Sequence, residues 1–166
     1  EGDLKKTTMK GAQPSPQSIL CLSCYKQLSS FDWWNKIVIS DKISEVVKRQ
    51  ILEPKEEKTI KSRIQILNKI TNRISAKVRK QYEVNPYPRW VNVEFPYEQF
   101  NIKDSIKKIG LRLKNNDINN VLSPKILVAG CGTGQHSISV AARYKNSNVI
   151  AIDLSLSSLA YAKRKT

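Results

Sequence analysis

Residues 125–134 read KILVAGCGTG, and residues 149–153 read VIAID. The first run is a short apolar stretch followed by three glycines at alternate positions, and the second is an apolar stretch that ends in an acid. Between them, residues 135–144 fit a helix. Two short apolar strands joined by a helix are typical of a parallel pair, which needs a crossover connection. The sequence therefore predicts an α/β fold with parallel strands covered on both faces.

The glycine loop and the acid together predict a nucleotide site. Glycines let the backbone turn tightly and approach a ligand beside a helix amino terminus. Asp153 ends the second strand, where a carboxylate accepts hydrogen bonds from both hydroxyls of a ribose. A dinucleotide fingerprint needs the spacing G-x-G-x-x-G. The chain has Gln135 in place of the third glycine, with Gly134 one position earlier. This spacing disfavours a nicotinamide-dependent oxidoreductase.

The spacing G-x-G-x-G resembles motif I of the class I S-adenosylmethionine-dependent methyltransferases, and residues 153–155 resemble the family's entry into its second helix. Val128 departs from the pattern, because many members carry an acid two residues before the first glycine. The resemblance implies the start of a Rossmann-like domain and an S-adenosylmethionine cofactor. We expect no metal, because the sequence offers no complete set of metal ligands. The cofactor-binding residues that it implies are Ala129, Gly130, Cys131, Gly132, Gly134, Asp153 and Leu154.

The resemblance leaves the catalytic residues and the methyl acceptor unknown. Methyl transfer in this family needs mainly the positioning of a nucleophile, so many members have no dedicated acid or base. The acceptor stays open as a small molecule, a protein or RNA. Tyr87, Arg89 and Trp90 lie in an aromatic and proline-rich stretch, which we interpret as packing more readily than as a cover for a ligand. We expect His136, next to the glycine loop, to be a polar cap or a solvent contact.

The remainder of the chain is predicted to be an α-helical segment that leads into this domain. Its clearest helix runs from Lys55 to about Tyr82, where apolar residues recur at steps of three or four. Prolines and aromatic residues then indicate a boundary. The predicted segments are a flexible linker or frayed end (1–17), a helical connector (18–84), a proline/aromatic hinge with a leading helix (85–124) and the amino-terminal part of the methyltransferase domain (125–166).

The run QYEVNPYPRW at residues 81–90 resembles a segment that precedes the domain in bacterial methyltransferases with amino-terminal tetratricopeptide repeats. This resemblance implies repeats in a longer parent protein. A complete class I domain has a seven-stranded sheet, of which only two strands are predicted here. We therefore expect the chain to be a fragment that does not methylate by itself.

The charge of the chain leaves two interpretations open. Its 29 Lys and Arg against 14 Asp and Glu give a net charge of +15, which makes a nucleic-acid partner a standing hypothesis. The cations are spread along the chain, and Lys, Ile and Asn are all abundant, which indicates a compositional bias instead. A basic nucleic-acid-binding or nucleic-acid-methylating module is thus the alternative function. Asn85-Pro86-Tyr87 would be a permuted form of a motif of amino-methylating enzymes.

Other protein classes are disfavoured by simple counts. The apolar runs fall far short of the roughly 20 residues of a membrane span, and no secretory signal is recognisable. Three cysteines cannot form a full disulfide framework, so we expect a cytoplasmic protein. Cys21 and Cys24 have the spacing of half a zinc site, but no second pair completes it. We interpret both as small buried residues on a helix.

Overall fold

The computed structural model describes residues 1–96, 98–115 and 117–166, which divide into two compact units, residues 1–59 and residues 60–166. A π-helical segment, Lys48–Leu52, separates the third and fourth helices. The elements are α1 (Gly2–Met9), α2 (Pro16–Tyr25), α3 (Ser44–Val47), α4 (Glu53–Lys61), α5 (Arg73–Val84), α6 (Ile102–Ile109), β1 (Lys125–Ala129), α7 (Gln135–Arg143), β2 (Asn148–Ile152) and α8 (Leu156–Arg164).

The unit of residues 1–59 is built around one apolar core. Leu4 of α1 and Leu22 of α2 pack against this core. Helix α1 thus occupies residues for which the sequence predicts a linker or frayed end. The linker prediction missed α1 because two neighbouring prolines and a polar composition dominate that stretch. Phe31 and Trp33 supply the aromatic part of this core. The buried core residues are Ile19, Leu28, Phe31, Trp33, Ile43, Val47 and Ile51.

The two cysteines of the first unit differ from their prediction. Cys21 and Cys24 lie on α2, as expected, but both are exposed rather than buried. Leu22, between them, carries the apolar contact of this turn with the core. Within the described residues no group of three or more His, Cys, Asp or Glu side chains could hold a metal ion.

The long helix predicted from Lys55 to about Tyr82 is wrong, because the structure has two helices there. α4 ends at Lys61, and α5 begins only at Arg73. The side chain of Asn72 accepts hydrogen bonds from the backbone N–H groups of Ile74 and Ser75, at 2.9 and 3.0 Å. An asparagine in this position starts a new helix rather than continuing an old one. The apolar periodicity continues across the break and hides it.

The sheet consists of β1 and β2, which pair in parallel from Lys125 with Asn148 to Ala129 with Ile152. The predicted strand, helix, strand order is confirmed. The prediction that both faces of the sheet are covered is wrong. Leu127 and Ile150 pair in register, and their side chains are 62% and 56% exposed. One face of the described sheet is therefore open. The parallel register brings the residues that follow both strands to the same edge.

Helix α8 completes the strand–helix–strand–helix unit. It begins at Leu156, and the side chain of Ser155 accepts a hydrogen bond from the N–H of Ser158 at 3.1 Å. Ser155 and Ser158 are both buried, so this cap is shielded from water. None of the helices in the described ranges combines the length and apolar character that a membrane crossing requires.

Candidate functional site

The glycine loop wraps around the carboxyl end of β2. The backbone N–H groups of Gly130 and Cys131 both donate to the carbonyl of Ile152, at 2.8 and 3.0 Å. One residue further, the N–H of Gly132 donates to Asp153 Oδ2 at 2.8 Å. These bonds continue the strand pairing into the loop. The predicted loop and the predicted acid thus meet directly, although they lie 21 residues apart.

The carboxylate of Asp153 is held on both oxygens. Oδ2 accepts from Gly132, and Oδ1 accepts from the N–H of Ser155 at 2.8 Å. Each carboxylate oxygen has two lone pairs, so each keeps one acceptor site for a ligand. Asp153 is half-buried and Leu154 is exposed beside it. The orientation of the carboxylate is therefore fixed by the backbone on either side of it.

The three glycines of the loop have different roles. All have positive φ, at 69° for Gly130, 53° for Gly132 and 85° for Gly134. A Cβ at Gly134 would stand 2.5 Å from the Cβ of Ala162, so Gly134 lets the start of α7 approach α8. A Cβ at Gly130 would meet nothing within 4 Å. Packing therefore requires Gly134, whereas Gly130 borders open space.

That open space is a groove of about 1120 Å³. Gly130, Asp153 and Leu154 line it together, and Asp153 is the one acid in its described lining. Most of the remaining wall is aliphatic, from residues 60–82, β2 and α8. Pockets that bind small molecules and cofactors are typically about 300–1,000 Å³, so the groove has room for a cofactor.

Cys131, in the middle of the loop, is a neutral thiol. Its exposed fraction is 8%. Burial, followed by the neighbouring charge of Asp153, raises its pKa to about 11. Since the thiolate is the reactive form of cysteine, Cys131 is not set up as a nucleophile at neutral pH. His136 is exposed in the first turn of α7, as predicted for a solvent contact.

Thr133 is a site residue that sequence reasoning missed. Its side chain is fully buried and donates from Oγ1 to the carbonyl of Pro88 at 2.6 Å. Its own carbonyl accepts from the indole Nε1 of Trp90 at 2.9 Å. The Trp90 carbonyl accepts in turn from the hydroxyl of Tyr161 on α8. The proline and aromatic stretch, predicted as a hinge, is therefore fastened to the glycine loop.

Glu83 is the second missed residue. At the end of α5, its Oε1 accepts from the N–H of Leu156 at 2.6 Å, and its Oε2 accepts from Ser157 Oγ at 2.9 Å. Lys61 donates to Oε2 as well. Burial acts to raise the pKa of Glu83, but the bonds from Lys61, Ser157 and Leu156 outweigh it and hold the pKa below the ordinary value of a glutamate. An ionised Glu83 therefore caps α8 at its positive end.

Residues 126–166 match a family model described as a methyltransferase domain. The matched segment contains the glycine loop, Asp153 and Leu154, and it supports an S-adenosylmethionine-dependent methyltransferase. No curated protein and no solved structure matches the chain.

Proposed function

We propose that the protein is an S-adenosylmethionine-dependent methyltransferase whose cofactor lies against the glycine loop and Asp153. The observation that carries this proposal is the hydrogen bond from Gly132 N–H to Asp153 Oδ2, because it joins the loop and the acid at one edge of a parallel sheet. Ligands of open α/β sheets bind outside the carboxyl ends of the strands. The family match of residues 126–166 supports the same function.

The residues present fit this cofactor. The second lone pair of each Asp153 oxygen is an acceptor for a ribose hydroxyl, and Gly130 offers a backbone surface with no side chain in the way. Leu154 is 41% exposed in the groove and offers an apolar contact for a ring. We propose that Ala129, Cys131, Gly132 and Gly134 complete the cradle through their backbone. When bound, S-adenosylmethionine supplies an activated methyl group on its sulfonium.

The chemistry that we propose rests on positioning. The pKa of Cys131, at about 11, keeps its thiol protonated at neutral pH, so this residue of the loop supplies neither a base nor a nucleophile. Holding a nucleophile in line with the methyl group is itself a large source of rate acceleration. We assign no catalytic residue.

A nicotinamide-dependent oxidoreductase is disfavoured by the same loop. Gln135 is the first residue of α7, in the place where a dinucleotide fingerprint has its third glycine. The close packing that a third glycine allows is made by Gly134 against Ala162 instead. The contact between α7 and α8 therefore requires glycine at position 134, so the spacing G-x-G-x-G has its own structural reason and is not an imperfect copy of the dinucleotide fingerprint.

We also propose that further strands complete the sheet, in a cytoplasmic parent protein with upstream repeats. Leu127 and Ile150 support the first point, because the open face that they form needs covering helices, and in a parallel sheet such helices are the connections to further strands. The three cysteines are free thiols, which suits a reducing compartment. The 166 residues alone are then expected to give no methyl transfer, and turnover by this polypeptide would contradict the proposal.

A nucleic-acid partner is a second candidate, and one observation favours it. Residues 60–166 hold 19 Lys and Arg and 6 Asp and Glu, a net charge of +13, whereas residues 1–59 carry +2. The excess charge thus lies in the unit that contains the glycine loop. On α5, Arg73, Lys77 and Lys80 are exposed at spacings that place them on one helix face.

The salt dependence of RNA binding tests this candidate. Each phosphate contact that is lost reduces the slope of log K against log[salt] by about 0.7 for a single strand. We expect the double variant Lys77→Ala, Lys80→Ala to lower the slope, and the matched variant Lys55→Ala, Lys58→Ala on α4 to leave it unchanged. Equal slopes for all three proteins would remove the nucleic-acid candidate.

Isothermal titration of the full-length protein with S-adenosylmethionine tests the main proposal. We expect micromolar binding, reduced at least tenfold by Asp153→Ala, because a hydrogen bond to a charged group contributes about 1.5–3 kcal/mol. Asp104→Ala, at an exposed acid of α6, is the matched control and should bind as the unsubstituted protein does. The absence of binding, or equal binding by the Asp153 variant, would refute the proposed site.

A further inference from the structure

We propose that residues 83–91 form a clamp that holds the two halves of the cofactor site, the glycine loop and helix α8, in their relative positions. Glu83 and Trp90 are its positioning residues. The inference rests on the proposed function, because the site it positions is the proposed cofactor site. The sequence predicts a hinge at this stretch. The described contacts instead attach it to the glycine loop on one side and to α8 on the other.

On the loop side, the clamp grips Thr133 from two directions. The Pro88 carbonyl accepts the Thr133 hydroxyl, while the Trp90 indole donates to the Thr133 carbonyl. The Tyr87 carbonyl also lies close, 3.8 Å from where a Cβ of Gly132 would stand. Thr133 lies between Gly132, which donates to Asp153, and Gly134, which packs on α8. Fixing Thr133 therefore fixes both of its functional neighbours.

On the helix side, the clamp holds both ends of α8. Glu83 accepts from Leu156 and Ser157 in the first turn, three residues after Asp153. Near the last turn, the Tyr161 hydroxyl donates to the Trp90 carbonyl. The Trp90 and Tyr161 rings also meet edge to face, with centroids 5.9 Å apart. An edge-to-face pair adds to the packing of the helix on the clamp.

The link from Glu83 to the ligand acid runs through a short piece of backbone. Ser155 donates to Asp153 Oδ1 and is itself the cap of α8. If the first turn of α8 moves, Ser155 N–H moves with it and releases one oxygen of Asp153. We therefore expect Glu83 to act on cofactor affinity through Asp153 without touching the cofactor.

Three variants, one at Trp90 and two at Glu83, test the clamp by isothermal titration of the full-length protein with S-adenosylmethionine. Trp90→Phe keeps a ring but removes the donor to Thr133, and we expect it to weaken binding about five- to tenfold. Glu83→Gln keeps one acceptor for Leu156 and loses the charge, whereas Glu83→Ala loses both. We expect the affinity to fall in the order unsubstituted, Gln, Ala, with partial rescue by the conservative variant.

Thermal melting of the same proteins separates positioning from general stability. Phe100→Leu is the matched control, since the half-buried Phe100 ring lies in the same unit and packs against Lys108 of α6, outside the clamp. It should lower Tm while leaving the dissociation constant unchanged. Clamp variants should raise the dissociation constant more than their change in Tm explains.

The outcomes distinguish the clamp from the proposed function. If the unsubstituted protein binds and the Trp90 and Glu83 variants bind equally well, the clamp is overturned and the function stands. The clamp is also overturned if Phe100→Leu has the same Tm as the Trp90 and Glu83 variants and weakens binding as much as they do. If the unsubstituted protein does not bind the cofactor, the proposed function fails and the clamp fails with it.

Discussion

Gly134→Ala should destabilise the unit of residues 60–166 more than a glycine substitution elsewhere in it. Two costs combine at this position. An L-residue at a φ of 85° costs roughly 1–2 kcal/mol. The new Cβ would stand 2.5 Å from Ala162 Cβ and 3.2 Å from its Cα, and such overpacking costs about 1–3 kcal/mol. The expected loss in the free energy of unfolding is about 2–5 kcal/mol.

Gly110→Ala provides the matched control, because it has the same backbone cost without the clash. Gly110 ends α6 at a φ of 68°, and a Cβ there would meet nothing within 4 Å. Hydrogen exchange of the β1 and β2 amides under native conditions measures the stability of this unit separately from residues 1–59. Ala162→Gly in the Gly134→Ala background should recover part of the loss. Equal losses for Gly134→Ala and Gly110→Ala, or no recovery, would refute the packing role of Gly134.

Three other expectations follow from the site. Gly130→Ala should lower the stability about as much as Gly110→Ala does, but its new Cβ enters the groove. Titration should therefore show the affinity for S-adenosylmethionine reduced about tenfold or more. Unchanged affinity would mean that the cofactor does not lie against Gly130. Because the folded-state pKa of Glu83 is lowered, the stability that it contributes is present above the ordinary pKa of a glutamate, about 4.3, and is lost as the pH falls through the lower folded-state pKa. Glu83→Gln should flatten this part of the pH–stability curve, and parallel curves would contradict the expectation. An aromatic disulfide reagent at pH 8 should modify the exposed Cys21 and Cys24 rapidly and Cys131 only after unfolding, because burial raises the pKa of Cys131 to about 11. If absorbance showed three thiols reacting rapidly, the result would be incompatible with the structure.

The loop, its flanking strands and Asp153 are predictable from sequence because their signals are local. Alternate glycines, two short apolar runs and a terminal acid each restrict the backbone within a few residues. The parallel register then dictates that Gly130 and Asp153 share an edge. The position of the groove beside them follows from the same register. Its volume depends on residues 60–82, which are distant in sequence.

Glu83 and Thr133 lack any comparable signal. A glutamate at the end of a basic helix and a threonine inside a glycine loop are ordinary residues, and their roles arise from partners 73 and 45 residues away. The break between α4 and α5 was missed for a related reason, since apolar spacing continues across it and one capping asparagine is a weak signal. The position of the excess charge was hidden because the acids, rather than the cations, are unevenly distributed along the chain.

The long sequence separation of the clamp contacts has a consequence for the order of folding. The bonds of Glu83 with Leu156 and Ser157, and of Trp90 with Tyr161, span 71 to 74 residues. During synthesis, residues 83–91 leave the ribosome well before α8 exists, so these bonds form only after the sheet and α7 have been made. We expect the glycine loop to acquire its final shape only when α8 docks. Until then a nascent chain would carry the whole glycine motif without a site for its ligand.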